Sequence, residues 1–135
     1  ENPTIHTTSI VNLTAMAAGL ETLKVIEDEG LVQNAAAMGQ RFLDSLSEIQ
    51  SSYPDMLKEV RGRGLMVGME FSEKDFAVLT ISGMANRHII AGYTLANPCV
   101  IRVEPPLIIT EQQVDDVVDG IAGALADAKE LVAMA

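Results

Sequence analysis

Apolar residues in the first part of the chain recur every three or four positions, which is the spacing of one helix face. The first such stretch predicts a helix from Leu13, with Asn12 as its N-cap and Gly30 as its C-cap. The second predicts a helix from Leu31 that stops at the run Ser51-Ser52-Tyr53-Pro54. Two successive amphipathic helices are therefore expected before residue 55.

Beyond residue 60 the pattern changes to the two-residue alternation of β-strands. Over residues 65–71 apolar side chains at every second position alternate with Met66, Gly68 and Glu70, which predicts a strand with one buried face and a second face that is partly covered. Short apolar segments at 89–91, 93–95 and 99–103 predict two or three further strands. The last strand must end before the double proline at 105–106, because proline has no backbone N–H to donate to a neighbouring strand.

Helical patterns also follow the first strand and the last one. Residues 75–88 are helical in composition, although their apolar stripe is weak. Thr110 and Gln113 have the spacing of a capping box, and the amphipathic stretch after them predicts a final helix. The resulting order of elements is typical of an α+β fold, with a small, largely antiparallel sheet covered on one face by helices.

Composition narrows the classes of protein that fit this pattern. The chain has 135 residues, 48% of them hydrophobic, which suits one globular domain. Its formal net charge of −10 argues against a nucleic-acid partner and against an anionic membrane surface. A single cysteine and the absence of a long apolar run favour a cytoplasmic protein. Because the chain opens at Glu1 without a start methionine, we expect it to be a piece of something longer.

The strongest candidate for binding chemistry is Arg102, which alternation places on the polar face of the last strand, beside Glu104. A guanidinium held there by rigid backbone matches the two oxygens of a carboxylate. The alternative is an arginine that pairs with Glu104 on an exposed face. From this segment alone the second interpretation is favoured.

Other polar motifs leave two interpretations open or give little support for chemistry. Thr8 and Ser9 lie in a loop that leads into a helix, where a phosphate can bind, but local chemistry alone favours an ordinary helix cap. Residues 61–64, Arg-Gly-Arg-Gly, suggest an anion cradle, or glycines that permit close backbone approach. The histidines and Cys99 lack metal-ligand spacing, so no metal site is predicted. The lysines have polar surroundings that would not lower an amine pKa, so none is predicted to form a Schiff base.

Three segments together resemble the class III pyridoxal-phosphate-dependent aminotransferases, the group that includes the ornithine, acetylornithine, 4-aminobutyrate and putrescine enzymes. They are His6-Thr7-Thr8-Ser9, the run from Val60 to Phe71 and the run from Ile101 to Leu107, in the family's order. Residues 91–97 look closest to the putrescine aminotransferases. The resemblance covers the whole chain but corresponds only to the C-terminal third of such an enzyme.

The resemblance implies that residues 13–135 form the small C-terminal domain, and that residues 1–12 are a loop or extended segment docking on an upstream large domain. That large domain carries the lysine that binds pyridoxal 5'-phosphate, and the enzyme is a homodimer or larger homo-oligomer. Arg102 matches the arginine that binds the substrate carboxylate. Ser9, with Thr8 beside it, matches a contact to the cofactor phosphate of the neighbouring subunit. The family's glycines are missing after Ser9, where this chain continues with residues 10–13, Ile-Val-Asn-Leu.

We therefore expect a parent enzyme that transfers an amino group from a small-molecule diamine or ω-amino compound to a 2-oxo acid. This chain alone is expected to be inactive, to hold no cofactor and to self-associate through surface that the large domain would cover. One alternative is a free-standing α+β module for oligomerisation or partner binding. Another is a degenerate, non-catalytic relative.

Overall fold

The structure, a computed structural model, describes residues 12–134, which divide into two compact units with the boundary between Val32 and Gln33. The elements follow the chain as α1 (Leu13–Asp28), α2 (Leu31–Ser52), β1 (Leu57–Arg63), β2 (Met66–Phe71), α3 (Lys74–Asn86), β3 (Gly92–Tyr93), β4 (Val100–Val103) and α4 (Glu111–Ala133). Within this part of the chain, no helix is both long and apolar enough to cross a membrane.

Helix α1 begins at the predicted N-cap, but its C-cap is Glu29 and not the predicted Gly30. The side chain of Asn12 accepts a hydrogen bond from the backbone N–H of Ala15 at 3.0 Å, which satisfies one of the free donors of the first turn. At the other end, Glu29 is the C-cap and Gly30 follows it with a φ of 62°. The helix buries none of its side chains, although Leu13, Met16, Leu20 and Leu23 form an apolar stripe along it.

The sheet is antiparallel throughout and has the strand order β1-β2-β4-β3, which confirms the predicted α+β class. Strand β1 was not expected from the pattern, because only Leu57 of its seven residues is fully buried. Residues 89–91 are not a strand, and β3 is reduced to Gly92 and Tyr93. The sheet therefore extends one strand further on the β1 side than alternation alone predicts.

One face of the sheet packs on helices and forms the core. On this helix-covered face, β2 contributes Val67, Met69 and Phe71, which are all at most 2% exposed. They belong to one hydrophobic cluster with buried residues of all three helices of this unit, among them Phe42 and Leu46 of α2, Met84 of α3, and Ile121 and Leu125 of α4. The opposite face, called the open face below, carries the other set of side chains. Charged groups dominate it.

Helix α2 approaches the β1–β2 turn closely. Gly64 in this turn has a φ of 54°, and a Cβ atom built on Gly39 of α2 would lie 2.1 Å from the Gly64 carbonyl oxygen. The backbones of α2 and the turn can approach each other this closely only because residue 39 has no side chain. The fold thus requires glycine at the second and fourth residues of the Arg-Gly-Arg-Gly motif. Gly64 has a positive φ, and a Cβ atom built on Gly62 would lie 2.5 Å from the Met66 carbonyl oxygen.

Candidate functional site

Arg102 projects from the open face at the centre of the short strand β4. Its neighbours Ile101 and Val103 point into the core and are 0% and 6% exposed, which anchors the strand on either side of the arginine. Strand β4 also pairs with β2 on one side and β3 on the other. The backbone of Arg102 is therefore firmly held, while its side chain is 53% exposed.

The residues directly opposite Arg102 are both glycines. Gly68 of β2 pairs with it on one side, and Gly92 of β3 pairs with it on the other. Residues in register on antiparallel strands project from the same face, with Cβ atoms ~5 Å apart. Since neither partner has a side chain, the stem and guanidinium of Arg102 have no lateral neighbours in register. The sequence pattern could not show this, because residues 68, 92 and 102 come together only through strand pairing.

Within residues 12–134, Glu104 is the carboxylate paired with Arg102. The Arg102 Nη1 atom lies 3.4 Å from the Glu104 Oε2 atom, and the Glu104 side chain is 43% exposed. The pair predicted as the alternative interpretation is thus present. It is long and open to solvent, and such pairs hold their partners weakly. Arg102 is therefore free to exchange this partner for another anion.

Arg61 shares the open face but is tightly engaged. Its Nη1 atom donates to Glu59 Oε2 at 2.8 Å and to Glu70 Oε2 at 2.6 Å. The hydrogen bond from Arg61 lowers the pKa of Glu70, although partial burial opposes the shift, and Lys58 adds to it from 3.7 Å. Because two carboxylates already offset its charge, Arg61 is poorly placed to take a further anion.

Two other arginines are held in the same way. Arg41 makes a two-point contact with Asp115, at 2.8 Å from Nε and 2.7 Å from Nη2. Arg87 donates to Asp127 at 2.7 Å and to the Gly83 carbonyl at 3.0 Å. Arg102 differs from all of these arginines because its carboxylate contact is longer than a good hydrogen bond.

A cleft of about 450 Å³ lies beside the end of β4 and is lined mainly by apolar residues of the segment after α3 and of the segment between β4 and α4. Its polar lining comprises His88, Glu104, Gln113 and Asp116. His88 has a φ of 61°, in the left-handed region that few residues with a side chain adopt. Glu104 lines this cleft and also contacts Arg102 on the open face. The sequence pattern gave no signal for the cleft.

The remaining candidates of the sequence analysis are placed as follows. Thr8 and Ser9 lie outside the described residues, so their predicted contact to a cofactor phosphate stays a prediction. The Arg-Gly-Arg-Gly motif forms the end of β1 and its turn, where the glycines meet backbone atoms of the same domain. Among residues 12–134, no group of three His, Cys, Asp or Glu side chains is arranged to hold a metal ion.

Comparisons with known proteins bear on the family and the fold of this chain. The family model described as aminotransferase class-III matches residues 3–125. A mutant of M. tuberculosis Rv3290C superposes with a TM-score of 0.85 over 93% of this chain and 29% of its own, at 27% identity. A thermostable omega transaminase variant, PjTA-R6, matches with a TM-score of 0.77 and 30% identity over 87% of this chain and 28% of its own.

The ornithine aminotransferase from Toxoplasma gondii, which was crystallised with partial occupancy of PLP at its active site, matches with a TM-score of 0.74 and 29% identity. That match covers 82% of this chain and 26% of the other. The chain thus spans 26% to 29% of the length of these three proteins.

Proposed function

Because this chain belongs to the class-III aminotransferase family, we propose that it serves as the C-terminal small domain of a longer, pyridoxal-phosphate-dependent aminotransferase. The complete enzyme transfers an amino group from a diamine of the putrescine type, or another ω-amino compound, to a 2-oxo acid. The likeness to an omega transaminase and to an ornithine aminotransferase supports this class of donor. The observation that carries the proposal is the open position of Arg102.

We assign to Arg102 the recognition of the substrate carboxylate. Its backbone is fixed between two core residues, its cross-strand partners are glycines, and its contact with Glu104 is long. A guanidinium in this setting offers two parallel N–H donors to both oxygens of a carboxylate. A 2-oxo acid brings such a group, whereas a diamine does not. Arg102 therefore acts on the oxo-acid half of the reaction.

Pyridoxal phosphate, when bound, supplies the electron sink for amino-group transfer. Residues 12–134 do not fit this cofactor by themselves, because every lysine among them is exposed and none is recessed. Lys24, for example, is paired with Glu21 at 2.6 Å and its side chain is 56% exposed. We propose that an upstream large domain carries the cofactor lysine. Thr8 and Ser9 then contribute to the phosphate site of the neighbouring subunit.

Helix α1 supports the existence of a large partner domain. It carries apolar residues on more than one side, and five of its large apolar side chains are 44% to 79% exposed (Leu13, Met16, Leu20, Leu23 and Val25). An exposed apolar surface of this extent is normally covered by another part of a protein. A second copy would cover one stripe, whereas the remaining length of the aminotransferases that this chain resembles is enough to cover several. We therefore propose the upstream domain as the occupant, within a homo-oligomer.

The proposal can be tested on the full-length protein from the reading frame that contains this chain. We expect a yellow protein with the absorption of a lysine-bound cofactor, which turns over a diamine and a 2-oxo acid. Residues 1–135 alone should give no turnover. A colourless, inactive full-length protein would favour the degenerate relative instead. A folded chain that has no upstream domain would favour the free-standing binding module.

The role of Arg102 requires separate measurements of the two half-reactions. Arg102→Ala should lower kcat/KM for the 2-oxo acid about 10–100-fold, the value of a charge-assisted hydrogen bond, and leave the diamine half-reaction unchanged. Arg63→Ala, which removes an equal charge from the end of β1, is the matched control and should change neither. Equal losses for both substrates, or equal effects of the two variants, would contradict the carboxylate role.

A further inference from the structure

Gly68 and Gly92 occupy positions where glycine carries a cost. Both lie within strands, where glycine loses more conformational freedom on folding than other residues and packs nothing. In a strand it commonly marks a bulge or a place where a ligand or another backbone approaches closely. Both residues face Arg102 across the sheet.

No close contact within the described fold requires glycine at either position. A Cβ atom on Gly68 would lie 3.6 Å from Val100 Cγ1 and 3.8 Å from the Arg61 carbonyl oxygen, which is ordinary contact. On Gly92 it would meet nothing within 4 Å among the residues described. Neither glycine has a positive φ, unlike Gly30 and Gly64.

At other positions of the same unit, the fold does require glycine. A Cβ atom on Gly39 would lie 2.1 Å from the Gly64 carbonyl oxygen, and one on Gly83 would lie 2.9 Å from the Ala124 Cβ atom. These two positions need glycine so that elements of this domain can approach. At Gly68 and Gly92 no such close approach exists among residues 12–134.

We propose that Gly68 and Gly92 are specificity-determining residues that keep both flanks of Arg102 open, so that the carboxylate of a 2-oxo acid can lie against the guanidinium fork. This inference rests on the proposed function of Arg102. Neighbouring strands are ~4.8 Å apart, so a branched side chain at residue 68 would run along the arginine stem. It would then occupy the space that the acid group needs for two-point contact.

The test is a graded series in the full-length enzyme: Gly68→Ala, Gly68→Val and Gly92→Val, with Arg102→Ala measured in parallel. Met66→Val is the matched control, since Met66 lies on the same strand, is 69% exposed and is not in register with Arg102. We expect Gly68→Val to raise KM for the 2-oxo acid about tenfold or more, with a smaller rise for Gly68→Ala. The diamine half-reaction and the melting temperature should stay unchanged. Met66→Val should have the same KM values as the unsubstituted full-length enzyme.

The possible results separate this inference from the proposed function. If Arg102→Ala impairs oxo-acid use and Gly68→Val does not, the glycine inference is wrong and the carboxylate role stands. If Arg102→Ala has no effect, both are wrong. If Gly68→Val lowers the melting temperature and impairs both half-reactions equally, another segment of protein fills the space, which also overturns the inference.

Discussion

At the scale of single residues, the arginines of this chain differ by their partners. Arg41 and Arg87 each donate to an aspartate that lies far away in sequence, Asp115 and Asp127 respectively. Sequence spacing could not predict either pair, because the two partners meet only after α4 has packed in place. Arg102 has a local and weak partner instead, and local pairing is the part that alternation did predict.

The contact between Arg41 and Asp115 predicts a pH-dependent stability. The hydrogen bond from Arg41 lowers the pKa of Asp115 below its ordinary value of 3.8, against a smaller opposing effect of burial. The contribution to stability is thus complete above that value and is lost as the pH falls through the lower, folded-state pKa. Asp115→Asn should lower the melting temperature at neutral pH by a few degrees at most, because the pair is exposed.

This difference should vanish in acid below both pKa values, where the parent carboxyl is protonated as well. Asp116→Asn is the control, because Asp116 receives a hydrogen bond only from the neutral amide of Gln112 among the described side chains. Thermal unfolding followed by circular dichroism at neutral and acidic pH gives the comparison. A loss in Asp115→Asn that is the same at both pH values would show that the pair acts through packing and not through charge.

At the scale of elements, the contact of α2 with the β1–β2 turn predicts an unusual response to alanine. Gly39→Ala adds a methyl group where the Gly64 carbonyl oxygen would be 2.1 Å away, so α2 or the turn must shift. We expect a loss of about 1–3 kcal/mol in the free energy of unfolding. Gly19→Ala in α1 meets nothing within 4 Å and should instead gain about 0.5–1 kcal/mol.

Urea denaturation of the two variants measures both values. If Gly39→Ala were as stable as Gly19→Ala, the close approach of α2 to the turn would not exist in solution. The pair is well matched, because both glycines are in helices and both receive the same methyl group.

Sequence pattern predicted the helices better than the strands, for a physical reason. Helices α1, α2 and α4 carry their own signals in apolar spacing and in the capping residues Asn12 and Thr110. Strand β1 carries no such signal, because it lies at the sheet edge and exposes most of its residues. Strand β1 is identified only by its pairing with β2, and the local sequence does not predict this pairing.

At the scale of the whole molecule, the exposed apolar surface of α1 predicts self-association of residues 1–135 in isolation. Leu20 and Leu23 are each 60% exposed, and such surface associates when nothing covers it. The double variant Leu20→Lys/Leu23→Lys should shift the chain toward a monomer in size-exclusion chromatography with light scattering. Thr22→Lys, on the same helix but outside the stripe, should leave the oligomers unchanged. If unsubstituted residues 1–135 were monomeric, the prediction would be wrong.

The candidate site could be predicted only in part. Alternation placed Arg102 on the polar face of its strand, and the structure agrees. The glycines beside it come from strands β2 and β3, so their meeting depends on the register of three strands. The cleft beside Glu104 likewise depends on how α3 and α4 close over the sheet. Thr8 and Ser9 remain sequence predictions.

The contact between Arg102 and Glu104 has a consequence for how a substrate can arrive and leave. Because Glu104 follows directly after β4 and lies 3.4 Å from the arginine, Arg102 has a counter-charge nearby in the absence of any ligand. In the role proposed for Arg102, an incoming acid group would displace Glu104 into water, where that carboxylate is readily hydrated, and the reverse would happen when the product departs. Recognition by Arg102 would then be an exchange of anions, which favours rapid release over tight retention.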